Sequence, residues 1–178
     1  MNFDAAPPPG EDARWAYIAL GSNLGDSRAI VLQAIDKLRQ LSDQPLRRSS
    51  LWQTEPVGCP PGSAAFVNAV AGLAFRPEET PESLLAQLQQ FERDLGRQPK
   101  SVLNEPRPLD LDLIAFEQVQ RTTSELVLPH PRAQGRRFVL QPLAEIAPDL
   151  VLPGQSQCVR ELLASLPAGQ RVRRLSDG

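Results

Sequence analysis

Hydrophobic residues run almost unbroken through residues 15–20 and stop at Gly21-Ser22-Asn23-Leu24-Gly25-Asp26, which reads as a strand ending in a dense turn signal. From Ser27 the apolar residues Ile30, Val31, Ala34, Ile35, Leu38 and Leu41 recur at helical spacing, with Asp26 or Ser27 placed to cap the first turn. Residues 46–54 and 65–75 read as two strands. Their connector, residues 55–63, carries Pro56, Gly58, Pro60, Pro61 and Gly62 and is too long for a simple hairpin turn. Thr80-Pro81-Glu82 supplies a cap, a first-turn proline and an acid for a second helix, which continues through Leu84, Leu85, Leu88, Phe91 and Leu95 to Gly96. Residues 97–107 form a second irregular loop before a strand at 108–116. A short strand near 125–128, a loop at 129–137, an apolar segment at 138–146 and a helix near 159–166 complete the chain. The order strand, helix, strand, strand, helix, strand is the split βαβ arrangement, which predicts an α/β (α+β) ferredoxin-like fold with a mostly antiparallel sheet and flanking helices.

At 178 residues and 41% hydrophobic content, the chain is long enough to close one core without covalent staples. We expect one domain over residues 14–178, preceded by a mobile tail over 1–13 that includes Pro7-Pro8-Pro9-Gly10. A net charge of -2 leaves no broad basic surface for nucleic acid or an anionic membrane, so phosphate-binding groups must be local. No apolar run approaches the ~20 residues that cross a bilayer, and the first residues lack the basic start and apolar stretch of a secretion signal. Cys59 and Cys158 lack metal-type spacing and suit a reduced compartment, so the expected location is the cytoplasm. Nothing in the pattern calls for an obligate partner, and a monomer is expected.

The alternation Leu109-Asp110-Leu111-Asp112-Leu113 puts three leucines on one face of a strand and both aspartates on the other. Alternate residues lie about 7 Å apart along a strand, so the two carboxylates can share a hard cation or bracket a pair of them. Magnesium takes oxygen ligands and is commonly held by one or two carboxylates together with substrate phosphates. A half-exposed strand with acidic solvent positions is the competing reading. Arg97, Lys100 and Arg107 precede these acids, and Arg132, Arg136 and Arg137 follow His130 in a second irregular segment, an arrangement suited to a polyphosphate. A solvated loop explains any one of these cations singly. The Gly21-Ser22-Asn23-Leu24-Gly25 turn is either a phosphate-cradling loop or a tight strand-to-helix connection; it lacks the lysine of a Walker loop.

Several pieces recur together: Ala16-Tyr17-Ile18-Ala19-Leu20-Gly21-Ser22-Asn23-Leu24-Gly25-Asp26, Gln53-Thr54-Glu55-Pro56-Val57-Gly58, Phe66-Val67-Asn68-Ala69, Glu92 to Gly96-Arg97, Pro106-Arg107-Pro108-Leu109-Asp110-Leu111-Asp112, Leu128-Pro129-His130-Pro131-Arg132 and Arg136-Arg137-Phe138. In order and approximate spacing this chain resembles the 6-hydroxymethyl-7,8-dihydropterin pyrophosphokinases of folate biosynthesis over roughly residues 15–166. The resemblance implies transfer of the β,γ-pyrophosphate of ATP to the pterin hydroxymethyl group, with release of AMP and two Mg²⁺ ions between the acids and the phosphates. It implies metal binding by Asp110 and Asp112, and a nucleotide site around Glu92, Arg97, Arg107, His130 and Arg136. Arg97 and Arg107 would join the two acids in the catalytic set. The pterin falls to Thr54, Pro56, Val57, Phe66, Asn68 and Phe138. Two phenylalanines can sandwich a flat heterocycle, and a carboxamide can both donate to and accept from its edge.

No strong general base stands out, which suits a reaction carried by positioning and charge neutralisation. Residues 55–63 and 98–104 are the expected lids. The second departs from the family: Leu103 stands where a basic residue is usual, Glu105 replaces a small residue, and Pro99 takes a position often held by arginine. With less positive charge in that lid, ATP should depend mainly on Arg97, Arg107 and Arg136. Two other readings stay open: a non-catalytic ferredoxin-like module binding RNA or a metabolite, and a different two-metal phosphotransferase or nuclease. The missing row of exposed aromatics with flanking lysines argues against RNA.

Overall fold

The computed structural model describes residues 13–56, 58–96 and 106–176. The first hydrophobic run forms β1 (Trp15–Ser22), which extends through Gly21 and Ser22 because both residues still pair with a neighbouring strand. Helix α1 (Ser27–Arg39) follows, its first turn closed by the Asp26 carboxylate, which accepts from the Ala29 N–H at 3.1 Å. Its apolar stripe of Val31, Ala34, Ile35 and Leu38 is buried.

Residues 46–54 do not form the single strand expected of them. They make β2 (Arg47–Arg48) and β3 (Trp52–Thr54), both antiparallel to β4 (Phe66–Ala74). Between these pieces the register on β4 slips by one residue, from Arg48 opposite Ala71 to Trp52 opposite Asn68. Ser49 bridges the irregularity: its N–H donates to the Val70 carbonyl at 2.9 Å and its hydroxyl accepts from the Val70 N–H at 2.9 Å. A one-residue slip exchanges the faces of everything beyond it, and this one puts Trp52 and Thr54 on the face of Asn68.

Helix α2 (Pro81–Asp94) starts with a reciprocal capping box between Thr80 and Ser83 and leads toward β5 (Asp110–Phe116). A small hairpin of β6 (Arg121–Thr122) and β7 (Val127–Leu128) comes next. The apolar segment at 138–146 is α3 (Arg137–Ile146), which accommodates Pro142, and α4 (Val159–Ser165) packs beside it. The chain returns to the sheet as β8 (Val172–Arg174), an edge strand with no counterpart in the sequence reading.

The sheet order is β5-β1-β4-β3-β8, with β2 also on β4, and all of these pairs are antiparallel. Taking β2 and β3 as one interrupted strand, the order of the first four strands is the split βαβ arrangement, so the ferredoxin-like expectation holds. One face buries Ile18, Leu20, Ala69, Leu73, Leu111 and Leu113 against Val31, Ile35 and Leu38 of α1 and Leu84 and Leu88 of α2. The other packs Tyr17, Val70 and Ile114 against Val139, Leu140 and Leu143 of α3 and Val159 and Leu162 of α4. A side chain of this kind, fully buried, contributes about 1.5–3 kcal/mol of transfer free energy. No disulfide joins Cys59 and Cys158, and among the described residues no helix is long and apolar enough to cross a membrane.

Candidate active site

Strand periodicity sorts the site residues onto one surface. Leu109, Leu111 and Leu113 join the core on the α1 and α2 side, so Asp110 and Asp112 project toward the α3 side, both half-buried. Asn68 on β4 shares that face with Val70, and Thr54 and Phe66 sit opposite each other on it. In register, Gly21 lies between Asp110 on one neighbouring strand and Asn68 on the other, and Ala19 lies between Asp112 and Val70. Two strand spacings, about 10 Å, therefore separate the acids from the carboxamide across a floor of small residues. A Cβ on Gly21 would stand 3.1 Å from Asn68 Oδ1 and 3.8 Å from the Phe66 ring, so glycine keeps that floor low.

Arg107 bridges the two ends. Its Nε stands 3.7 Å from Asp110 Oδ2 and its guanidinium carbon 5.8 Å from the centre of the Phe66 ring. The Nε is buried and has no hydrogen-bond partner among the described residues, a donor that an anion could satisfy. The backbone of Arg107 is held by Asn23, which the sequence reading treated only as part of a turn. Asn23 Oδ1 accepts from the Arg107 N–H at 3.0 Å, the Asn23 N–H donates to the Arg107 carbonyl at 3.2 Å, and Asn23 Nδ2 donates to the Ala64 carbonyl at 3.4 Å. Asn23 is 3% exposed, and it ties the loop after β1 to the entry of β5 and to the approach to β4. The turn is thus a braced connection whose side chain orients Arg107. A buried-type polar residue between two glycine-flanked positions was the available signal.

The outer edge of β5 is held by two residues expected at the nucleotide. Glu92, 8% exposed, accepts from the Leu111 N–H at 2.7 Å, between the two aspartates. The His130 N–H donates to the Ile114 carbonyl at 2.9 Å, at the point where a bulge in the β1 and β5 pairing skips Ile114. His130 Nδ1 accepts from the Arg132 N–H at 3.2 Å, so a neutral ring carries its proton on Nε2 and offers it as a donor. Burial, with Arg136 and Arg132 adding to it against Asp110, lowers the His130 pKa to about 4. Arg136 is likewise held below its ordinary value, first by burial and then by Arg132, while Asp112 and Asp110 oppose the shift and Arg107 adds to it. These mutual influences bring Arg107, His130, Arg132, Arg136 and both acids into one electrostatic neighbourhood.

On the opposite side of the floor, Asn68 Nδ2 donates to Thr54 Oγ1 at 2.7 Å, and both residues are buried. The bond fixes the carboxamide with its oxygen toward Gly21. Phe138, in the first turn of α3, has the Arg136 guanidinium carbon 5.3 Å from its ring centre, just as Phe66 has Arg107. Pro56 is half-buried beyond the end of β3. Val57 and Arg97 lie outside the described residues, as do Pro99, Lys100, Leu103 and Glu105 and the expected lid at 98–104.

Among the described residues no three His, Cys, Asp or Glu side chains converge on a metal position. Two half-buried carboxylates do not make a closed structural site, but they fit an ion that completes its shell with water and phosphate oxygens, as Mg²⁺ does.

An antiparallel ferredoxin-like sheet that gathers paired acids, arginines and a buried carboxamide on one face has the chemistry of a small phosphotransferase. The profile of the 7,8-dihydro-6-hydroxymethylpterin-pyrophosphokinase family matches residues 17–148. A protein of Methylorubrum extorquens named 2-amino-4-hydroxy-6-hydroxymethyldihydropteridine pyrophosphokinase is 41% identical over 156 residues, covering 86% of this chain and 95% of its own. The Pseudomonas aeruginosa protein of the same name is 40% identical over 152 residues, 85% of this chain and 91% of its own. Among solved structures, a Plasmodium falciparum HPPK-DHPS chain superposes with a TM-score of 0.65 at 12% identity, covering 86% of this chain and 43% of that one. That likeness bears on the fold. This chain belongs to the 7,8-dihydro-6-hydroxymethylpterin-pyrophosphokinase family, and it is accordingly an enzyme of pyrophosphoryl transfer in folate biosynthesis. Neither the RNA-binding reading nor that of an unrelated two-metal enzyme is favoured by these matches.

Proposed function

We propose that the enzyme binds ATP over Asp110, Asp112, Arg107 and Arg136 and binds 6-hydroxymethyl-7,8-dihydropterin against Thr54, Asn68, Phe66 and Phe138. The hydroxymethyl oxygen attacks the β-phosphorus in line, the bond from that phosphorus to the oxygen bridging it to the α-phosphate breaks, and AMP leaves. The hydroxyl proton passes to solvent or a phosphate oxygen. The observation that carries this reading is the floor of Gly21 and Ala19, which sets the acids and the Thr54–Asn68 pair at opposite ends of one surface.

Asp110 and Asp112 would hold Mg²⁺, two ions on this reading. A metal held by these two carboxylates would supply neutralisation of the triphosphate charge. Arg107 lies between the acids and Phe66, where its guanidinium meets the transferred phosphates, and Arg136 approaches from the start of α3. Neutral His130 donates through Nε2 without adding charge. Glu92 holds β5 through Leu111 and so acts first as a brace of the acidic strand. Arg97, Val57 and Pro56 complete the substrate shell by resemblance to the family, and residues 55–63 and 98–104 are the lids.

Cys59 and Cys158, not joined in a disulfide, suit a reducing cytoplasmic setting, and a monomer built on residues 14–178 is the expected working unit. The test is release of AMP from ATP and the reduced pterin in the presence of Mg²⁺. AMP formed only when the pterin is present supports the reading, and hydrolysis indifferent to the pterin would refute it.

A further inference from the structure

Helix α3 carries Phe138 and follows directly on Arg136, yet Arg136 as its N-cap makes no side-chain capping hydrogen bond. The missing contact comes from the far end of the chain. Gln170, in the loop before β8, accepts from the Arg137 N–H through Oε1 at 2.8 Å and donates from Nε2 to the Gly135 carbonyl at 3.0 Å. One carboxamide thus grips the backbone on both sides of Arg136. Arg137 adds a tether by donating from Nη2 to the Leu166 carbonyl at 3.4 Å. The loop is anchored in turn by β8, where Val172 pairs with Thr54 and Trp52 with Arg174. An open cavity of about 830 Å³ adjoins this junction, bordered by Gln53, Glu55, Arg137, Gln141, Gln170 and Arg171, so packing does not hold the turn from that side.

From this geometry we propose that Gln170 is a positioning residue for pyrophosphoryl transfer. It fixes the turn at residues 135–137 so that the Arg136 guanidinium and the Phe138 ring, whose centre lies 5.3 Å from the guanidinium carbon, keep their places in the site. Because β8 also pairs with Thr54, the loop links the nucleotide end of the site to its pterin end. A displacement of the reacting groups by about 1 Å can lower turnover by orders of magnitude, which is why an exposed amide remote from substrate can matter here. The proposal rests on the roles given above to Arg136 and Phe138.

The experiment compares Gln170→Ala, Gln170→Glu, Arg136→Ala and Phe138→Ala by steady-state kinetics, thermal unfolding and amide hydrogen exchange at Arg137. Two lost hydrogen bonds predict about a tenfold fall in kcat/KM for ATP in Gln170→Ala, with faster exchange at Arg137 and a midpoint within about 3 °C of wild type. Gln170→Glu keeps the acceptor for the Arg137 N–H but loses the donor to the Gly135 carbonyl, and should recover only part of the loss. Unchanged kinetics in Gln170→Ala, alongside an impaired Arg136→Ala, would overturn the clamp and leave the site assignment standing. Wild-type behaviour of Arg136→Ala and Phe138→Ala would instead overturn the site assignment on which the clamp depends. A large fall in the unfolding midpoint with unchanged kcat and KM at low temperature would reduce Gln170 to a structural contact and overturn the proposal.

Discussion

Replacing Asn23 with alanine removes the side chain that joins three segments of the site. The Arg107 N–H loses its acceptor at 3.0 Å and the Ala64 carbonyl loses a longer bond at 3.4 Å, while the backbone bond from the Asn23 N–H to the Arg107 carbonyl has no need of the side chain. A buried donor left without a partner costs about 1–3 kcal/mol, and a long neutral hydrogen bond about 0.5 kcal/mol. The expected destabilisation is therefore about 2–3 kcal/mol, or roughly 5–10 °C in Tm for a chain of this size. Urea unfolding should show a lower midpoint at an unchanged slope. Because Arg107 moves with its backbone, calorimetry should also show weaker binding of a non-hydrolysable ATP analogue. Asn23→Asp keeps the acceptor for Arg107 and should retain more nucleotide affinity than Asn23→Ala. An Asn23→Ala protein with the wild-type midpoint and wild-type nucleotide affinity would refute the idea that this side chain organises the site.

The floor makes a separate prediction: Gly21→Ala sets a methyl group 3.1 Å from Asn68 Oδ1, which the bond to Thr54 holds in place, so KM for the pterin should rise while nucleotide affinity changes little; equal effects on both substrates would argue against it. His130 gives a pH signature. Its folded pKa of about 4 lies below the unfolded value near 6.5, so the folded state binds fewer protons between them; stability is fully present above about 6.5 and declines as pH falls toward 4. His130→Gln should flatten that acid-side decline in urea titrations of the ligand-free protein, and an unaltered profile would contradict the burial of a neutral ring.

What the sequence made legible follows from the periods of its elements. Alternation through residues 109–113 was enough to put Asp110 and Asp112 on one face, because a strand in the register of β5 has no freedom to do otherwise. The face of Thr54 was not legible. It depends on a one-residue slip near Ser49, and nothing in local hydrophobicity distinguishes a continuous strand from an interrupted one. Strand β8 is not legible either, because Val172-Arg173-Arg174 is short, charged and at a sheet edge, where arginine protects against further pairing but hides the strand signal. Helix α3 reads as apolar on most sides because the sheet and α4 both pack against it, and its buried Pro142 weakens the helical pattern further. The roles of Asn23, Glu92 and Gln170 lie in contacts to backbone atoms far away in sequence, which residue spacing does not encode.

On the proposed function, Asp110 and Asp112 jointly hold Mg²⁺ for a bound triphosphate. Calorimetric titration of a non-hydrolysable ATP analogue, with and without Mg²⁺, into wild type and Asp110→Ala/Asp112→Ala tests it directly. The account predicts Mg²⁺-dependent tightening in wild type and its loss in the double variant, whose fold is checked by circular dichroism. Tightening by Mg²⁺ that survives removal of both carboxylates would contradict it.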